Sequence, residues 1–456
     1  MNLPVNIRQL FFLGIGGIGM SALARWFKSM GYQVSGYDRT PSRITRELES
    51  EGIPVLFEDR PEMLRGAVDM VVYTPAIPKQ LQLRHHLESL GVPFMKRAEV
   101  LGRLSADHFT IAIGGTHGKT SITSLLAWIM HEGQLPFHAF IGGISKNFKS
   151  NLVMHPAARY LLVEADEYDR SFLQLHPEIC LISAMDADHL DIYGNREGML
   201  EAYRDFARLT GPRGLCIQHY KTDPLGVSAR SLTYGLHPNA DCHAESVRND
   251  GFGTAFTLCW QESRWENVRL SIPGTHNLEN ALGACAIALS IGIEPARLFH
   301  ALNSYEGVVR RFDLRCDTGE TVFIDDYAHH PEELNACIRA TREIYPDRKI
   351  TGIFQPHLYS RTRDFADGFA RSLDALDEVI LMDIYPAREL PLPNVDSSMI
   401  MRRMQNKAVR LLTRSEILAY LTENKMDVLL TLGAGDIDTL VPEIEIVLKT
   451  WSTTRI

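Results

Sequence analysis

Nothing in the chain approaches about 18 consecutive apolar positions, the length that a membrane-spanning helix needs. No Cys-x-x-Cys pair occurs among the seven cysteines (180, 216, 242, 259, 285, 316 and 337), so neither a zinc site nor a disulfide framework is implied. They read as buried, reduced thiols. A basic excess is missing as well: 47 lysines and arginines stand against 56 acids, a net charge of −9. A surface that neutralised many phosphates would need the opposite balance, so nucleic acid is not an expected partner. The first residues carry no basic region followed by an apolar core of signal-peptide length, and the expectation is a cytoplasmic enzyme with no membrane contact.

What is present is an ordinary globular composition, 45% apolar and 23% charged, over 456 residues. At about 150 residues per domain that length suggests three domains. The most informative stretch is Ile113-Gly114-Gly115-Thr116-His117-Gly118-Lys119-Thr120-Ser121, between an apolar run at 109–113 that reads as a buried strand and a helical run at 122–130. Such a loop aims backbone N–H groups and the positive end of a helix at an anion. Lys119 is placed to reach the outer phosphates of a nucleotide, and the Thr120 hydroxyl to hold Mg²⁺. Ile113 stands where a usual P-loop has its first glycine, so the loop is a shortened one.

A second glycine loop, Gly14, Gly16, Gly17 and Gly19, follows a strand at 10–13 and precedes a helix at 20–30, with Asp38 at the end of the next strand. This fits Gly-x-Gly-x-x-Gly followed by a ribose-binding acid, in a βαβ pattern. Taken alone it suggests an NAD enzyme, but a UDP-sugar presents the same pyrophosphate to the same helix end. A further apolar run at 68–73 leads into Thr74-Pro75-Ala76.

Acids and histidines gather where other apolar strands end. Glu164-Ala165-Asp166-Glu167-Tyr168-Asp169 follows the run at 160–163, and Asp186-Ala187-Asp188-His189-Leu190-Asp191 follows the one at 179–183. Mg²⁺ takes carboxylate and phosphate oxygens, so Glu164 is the first candidate ligand and His189 a second. Solvated acidic turns are the bland alternative. Asn277 and Asn280 share a face of the Ala-rich helix at 281–291 and its approach, which suits an adenine edge or a phosphate; helix capping by Asn277 competes with that. Arg310-Arg311-Phe312-Asp313 is a candidate for neutralising phosphoryl charge, or a solvated pair. A third alternation, with strands at 321–324, 350–354, 378–382 and 428–432, carries Asp325-Asp326-Tyr327-Ala328-His329-His330-Pro331 and Phe354-Gln355-Pro356-His357-Leu358-Tyr359-Ser360-Arg361 at strand ends. With Thr362-Arg363-Asp364 completing the second run, it supplies His357 and two arginines, Arg361 and Arg363, suited to gripping a carboxylate bidentately.

The order Gly-Thr-His-Gly-Lys-Thr, Glu-Ala-Asp-Glu, Asp-His-Leu-Asp, His-Asn-x-x-Asn, Arg-Arg-Phe-Asp, Asp-Asp-Tyr-Ala-His-His-Pro, Phe-Gln-Pro-His resembles the Mur ligase family along nearly the whole chain, and within it the alanine-adding branch. The resemblance implies an α/β protein of three domains: a Rossmann-like UDP-sugar domain at 1–104, a P-loop ATPase-like domain at 105–308, and a Rossmann-like amino-acid domain at 309–456. It implies ATP-dependent joining of L-alanine to the lactyl carboxylate of UDP-N-acetylmuramate, with ATP and two Mg²⁺ ions, in a monomer or weak homodimer. ATP would meet Gly115, Thr116, His117, Gly118, Lys119, Thr120, Ser121, Asn277, Asn280, Arg311 and Asp326. Metal would fall to Thr120, Glu164 and His189, and catalysis to Lys119, Glu164, His189 and Arg311. The UDP-sugar would lie at Gly14, Gly16, Gly17, Gly19, Asp38, Thr74 and Ala76, and the amino-acid end at Tyr327, His329, His357 and Arg361. Leu358 departs from the arginine of the family pattern, and 190–210 holds no lysine, so the carbamylated lysine of later family members is not expected. Competing readings are a relative that attaches a whole tripeptide to the same sugar, and a catalytically silent nucleotide-binding regulator.

Overall fold

In the computed structural model the described residues are 7–186, 193–227, 229–387 and 389–453. Residues 1–247, 255–270 and 279–306 form one compact unit, and 248–254, 271–278 and 307–456 another. The first unit carries two sheets and the second carries one, so the three-domain α/β architecture stands with its first two domains packed as one body.

The N-terminal sheet has the order Val55–Leu56, Gln33–Tyr37, Gln9–Leu13, Met70–Tyr73, Phe94–Lys96, all parallel. Leu10 to Leu13 are buried on both faces, which is why the strand reads as an unbroken apolar run. The chain leaves Gln9–Leu13 in one direction and returns on its other side, so a switch point opens between the ends of Gln9–Leu13 and Met70–Tyr73, the place where open α/β sheets take ligands.

The central sheet places Phe109–Gly114 between Tyr160–Glu164 and Ile179–Ile182, again in parallel. Phe137–Ser145 and Ser150–Val153 extend it on one side. On the other lie Leu215–His219, Arg230–Gly235, Cys242–Asn249, Thr254–Trp260 and Ser263–Leu270. None of these five was placed by the sequence reading, nor were Phe137–Ser145 and Ser150–Val153. Under the loop, Phe206 stacks on Phe172 with centroids 5.0 Å apart and closes against Gly114. Truncating so buried a ring costs about 3–5 kcal/mol.

In the second unit the order is Asp313–Asp317, Val322–Asp326, Val428–Leu432, Ile350–Phe354, Glu378–Leu381, Val409–Leu411, with only the first strand antiparallel. Asp326, Leu432 and Phe354 are register partners across three adjacent strands, so the polar runs that follow them emerge together. Helix Pro331–Ile344 begins as expected with proline in its first turn, and Glu332 and Glu333 face its positive end. The seven cysteines are buried and unpaired in disulfides, as expected.

Candidate functional site

The phosphate loop begins its helix earlier than the apolar pattern indicates, at Lys119 rather than 122, because Gly118 adopts φ +82 and turns the chain directly into Lys119–Glu132. A side chain at Gly115, φ +126, would collide with Ser183 and the backbone of Ala184. Among the described residues no side chain caps this helix start, so its first N–H groups are suited to an anion. Thr116 donates its N–H to the Ala184 carbonyl at 3.1 Å, tying the loop to the end of Ile179–Ile182. The Asn280 side chain lies against Gly118, on the loop itself. His117 Nε2 stands 3.6 Å from Asp186, and Ser121 lies half-buried in the first turn.

Thr120 and Glu164 come together as expected: the Thr120 hydroxyl donates to Glu164 Oε2 at 3.2 Å, while Gly142 N–H donates to Oε1 at 2.6 Å. A hydroxyl and a carboxylate beside a phosphate loop are oxygen donors of the kind that a hard divalent cation selects. His189, and with it the second metal position, lies outside the described residues.

Glu167 was not singled out in advance, yet Lys119 donates to both of its oxygens, at 2.9 and 2.7 Å, and to the Gly115 carbonyl at 2.6 Å. Burial alone would lower the Lys119 ammonium, but Glu167, Asp166 and Glu164 outweigh it and hold its pKa above the ordinary value. The lysine is charged and aimed at the loop's interior.

At the first glycine loop, Thr74 and Ile77 pack on Gly14, which brings the two strand ends of the switch point together. Helix Ile18–Ser29 starts after Gly17 with no side-chain cap. Asp38 accepts the Gly16 N–H at 2.8 Å and the Thr40 N–H at 3.2 Å, so it shapes the loop directly. Arg97 reaches over Gly19 and donates to Asp166 at 2.8 Å, linking the first glycine loop to the acidic run after Tyr160–Glu164. Ala76 is exposed at the rim.

In the second unit the Asn277 amide donates to the Pro273 carbonyl at 2.7 Å and is buried, a helix-entry role like the capping alternative. Asp326 is buried, and its oxygens accept Phe312 N–H at 2.6 Å and Ala328 N–H at 2.7 Å. Burial pushes its carboxyl up to about 6 despite Arg311 and those two donors. It thereby fixes the turn that carries Arg310 and Arg311, whose guanidinium carbons both lie 5.0 Å from the Tyr327 ring centroid. Glu333, also not singled out, accepts His329 N–H at 3.0 Å and stands 3.9 Å from Arg311. Its place four residues after His329 on a helix start was the available signal. Burial lowers the His329 pKa, with Arg361 acting in the same direction and Glu333 against it. The His329 and His357 rings meet edge to face at 6.0 Å, and His357 stacks on Tyr385. Tyr327, His329, His357 and Arg361 therefore share one neighbourhood, at the ends of Val322–Asp326 and Ile350–Phe354. Leu358 precedes helix Tyr359–Leu373 at φ +69, with its N–H on the Tyr385 carbonyl.

Three family patterns match in chain order: the Mur ligase family catalytic domain over residues 9–109, the Mur ligase middle domain over 113–288 and the Mur ligase glutamate ligase domain over 310–435. The UDP-N-acetylmuramate–L-alanine ligase of Flavobacterium johnsoniae is 42% identical over 449 residues, 98% of each chain. The enzyme of that name from Porphyromonas gingivalis is 43% identical over 97% of this chain and 100% of its own. Among solved structures, the UDP-N-acetylmuramate–alanine ligase of Thermotoga maritima superposes with a TM-score of 0.83 at 26% identity, over 98% of this chain and 100% of the other. A murein peptide ligase from Psychrobacter arcticus gives 0.74 at 22% identity over 97% and 98%, a likeness of fold.

Proposed function

The chain belongs to the Mur ligase family, and from that premise we propose that it joins L-alanine to the lactyl carboxylate of UDP-N-acetylmuramate, with ATP cleaved to ADP and phosphate. The observation that carries this is the identity of more than 40% along nearly the whole chain to alanine-adding relatives. The murein peptide ligase of Psychrobacter arcticus, at 22% identity, offers the tripeptide-adding alternative a likeness of fold. A silent regulator would have no use for a charged lysine in the loop and a hydroxyl–carboxylate pair beside it.

The lactyl carboxylate attacks the γ-phosphorus of ATP and ADP leaves; the amine of alanine then attacks the acyl phosphate and phosphate leaves. Two anions must first be brought together. Lys119 and the N–H groups at the start of helix Lys119–Glu132 take up charge on the transferred group, and Arg311 adds a second cation. Thr120 and Glu164 would hold Mg²⁺, with His189 at a second ion. When bound, Mg²⁺ held there would supply positive charge to the phosphate oxygens. Asn280 and Ser121 line the nucleotide; within the second unit Asn277 sets the helix entry and Asp326 the arginine turn. Gly14, Gly16, Gly17 and Gly19 receive the UDP pyrophosphate, with Thr74 and Ala76 at the facing strand end. Arg361 takes the alanine carboxylate, beside Tyr327 and His357. His329 stays neutral, and because its Nδ1 donates to the Tyr327 carbonyl at 2.9 Å, Nε2 is left to accept the proton that the ammonium sheds. Domain limits near 104 and 308, a cytoplasmic setting and a monomer or weak dimer complete the reading. No helix among the described residues is long and apolar enough to cross a membrane.

The test is phosphate release dependent on both UDP-N-acetylmuramate and L-alanine. Turnover with tripeptide alone would overturn the reading, as would a reaction that proceeds without ATP. In the same assay Lys119→Ala should lose at least about a hundredfold in kcat, since the lysine acts on charge that develops in the transition state.

A further inference from the structure

Far from the phosphate loop in strand order, the central sheet brings together three groups that the ligation does not use. Along Cys242–Asn249 the pleat buries Cys242 and Ala244 and turns His243 and Glu245 to the other face. Cys259 belongs to the neighbouring strand Thr254–Trp260. One nitrogen, one oxygen and one sulfur of these three residues lie within 4.8 Å of one another.

The hydrogen bonding around His243 gives the cluster its direction. Nδ1 lies 2.8 Å from the Ala240 carbonyl. A carbonyl only accepts, so Nδ1 carries the hydrogen and Nε2 of the neutral ring presents a lone pair. That lone pair faces Glu245 Oε1 at 3.6 Å. Two acceptors at that separation repel unless a proton or a cation stands between them. Arg264 is engaged by the other carboxylate oxygen, Oε2, which leaves Oε1 toward the imidazole. An Nδ1–H held by a backbone carbonyl is also the usual support of a metal-ligating histidine.

We propose that His243, Glu245 and Cys259 form a binding site for a zinc-type divalent cation, with water in the fourth position. The donor set selects the ion: imidazole, carboxylate and thiolate suit Zn²⁺, whereas Mg²⁺ and Ca²⁺ prefer oxygen alone. Zinc bonds of about 2.0–2.3 Å in a tetrahedron put ligand atoms roughly 3.3–3.8 Å apart, so the 3.6 Å between Nε2 and Oε1 already fits and the sulfur closes by a small movement. On binding, the Cys259 thiol gives its proton to solvent and ligates as thiolate. Thiolate and carboxylate then balance the ion, and Arg264 remains as an outer partner of Glu245. The ion joins two neighbouring strands at a place where the sequence spacing, 243, 245 and 259, resembles no zinc motif.

The full chain, stripped of metal by chelation, is titrated with Co²⁺ and then Zn²⁺. One equivalent of cobalt should give a tetrahedral visible spectrum with a thiolate-to-cobalt charge-transfer band, displaced by zinc, and zinc should raise Tm. Cys259→Ser should abolish the charge-transfer band, and His243→Gln should weaken binding at least about tenfold, with Mg²⁺-dependent ligation unchanged in both. A band that persists in Cys259→Ser, no band in the wild type, or zinc shifting Tm equally in wild type and His243→Gln would each overturn the site and leave a simple His243–Glu245 ion pair.

Discussion

Lys119 holds both carboxylate oxygens of Glu167, at 2.9 and 2.7 Å, inside the loop that is built for phosphate. Glu167 is buried, and its own carbonyl accepts the Tyr193 hydroxyl, so the acid is fixed in place and the lysine goes to it. Two demands meet at one ammonium: a resident carboxylate and an incoming triphosphate. The resident carboxylate, together with Asp166 and Glu164, offsets the desolvation that would lower the lysine's pKa.

Glu167→Gln removes one negative charge from the approach of a polyanion while leaving an oxygen for Lys119. ATP should therefore bind several-fold more tightly, and the fold should lose on the order of 1–3 kcal/mol because a mostly buried pair is weakened. Calorimetric titration with ATP alongside urea unfolding reads both. Weaker ATP binding in a folded variant would mean that Glu167 positions the lysine for the nucleotide and does not compete with it.

Tyr327 is approached by two guanidinium groups, and a cation over an aromatic face contributes about 0.5–2 kcal/mol each. Tyr327→Phe keeps the ring and should leave kcat within about twofold. Tyr327→Leu removes the ring and should lower kcat about tenfold by releasing Arg311 from its orientation. Equal losses in the two variants would assign the effect to the hydroxyl.

The strand-end logic of open α/β sheets made most of these positions legible in the sequence. Glu164 is a register partner of Ile113, so an acid at the end of that apolar run had to emerge beside the loop, and it meets Thr120. Local pattern does not decide which acid of a cluster turns inward. Asp169 and Arg170 both take φ near +55, and this sharp turn, invisible in composition, accompanies Glu167 being delivered to Lys119 while Asp166 goes to Arg97. Asp38 and Asp326 show the same limit from the other side, since acids placed as ligands by motif spend their oxygens on backbone N–H groups. The strands between 230 and 270 were missed because outward positions such as Glu245, Arg248, Arg264 and Glu266 break the apolar run that marks a doubly buried strand.

Asp325 offers a test of how burial and charge compete in the second unit. It accepts the Thr431 hydroxyl at 2.7 Å and has Arg310 at 3.6 Å, yet desolvation dominates and pushes its carboxyl from 3.8 up to about 6. A raised folded pKa means that the native state binds a proton more tightly than the unfolded chain does. The resulting stabilisation is complete below about pH 4 and is lost as pH rises through about 6. The size of the shift corresponds to on the order of 3 kcal/mol for this carboxylate. Asn at this position still accepts from Thr431 but does not titrate. The stability of the wild type relative to Asp325→Asn, taken from hydrogen exchange in strand Val322–Asp326 and corrected for intrinsic rates, should therefore fall between pH 4.5 and 6.5 and level off above 7. A difference that stays flat across that window would mean that Arg310 outweighs burial, and that Asp325 is held as a carboxylate throughout.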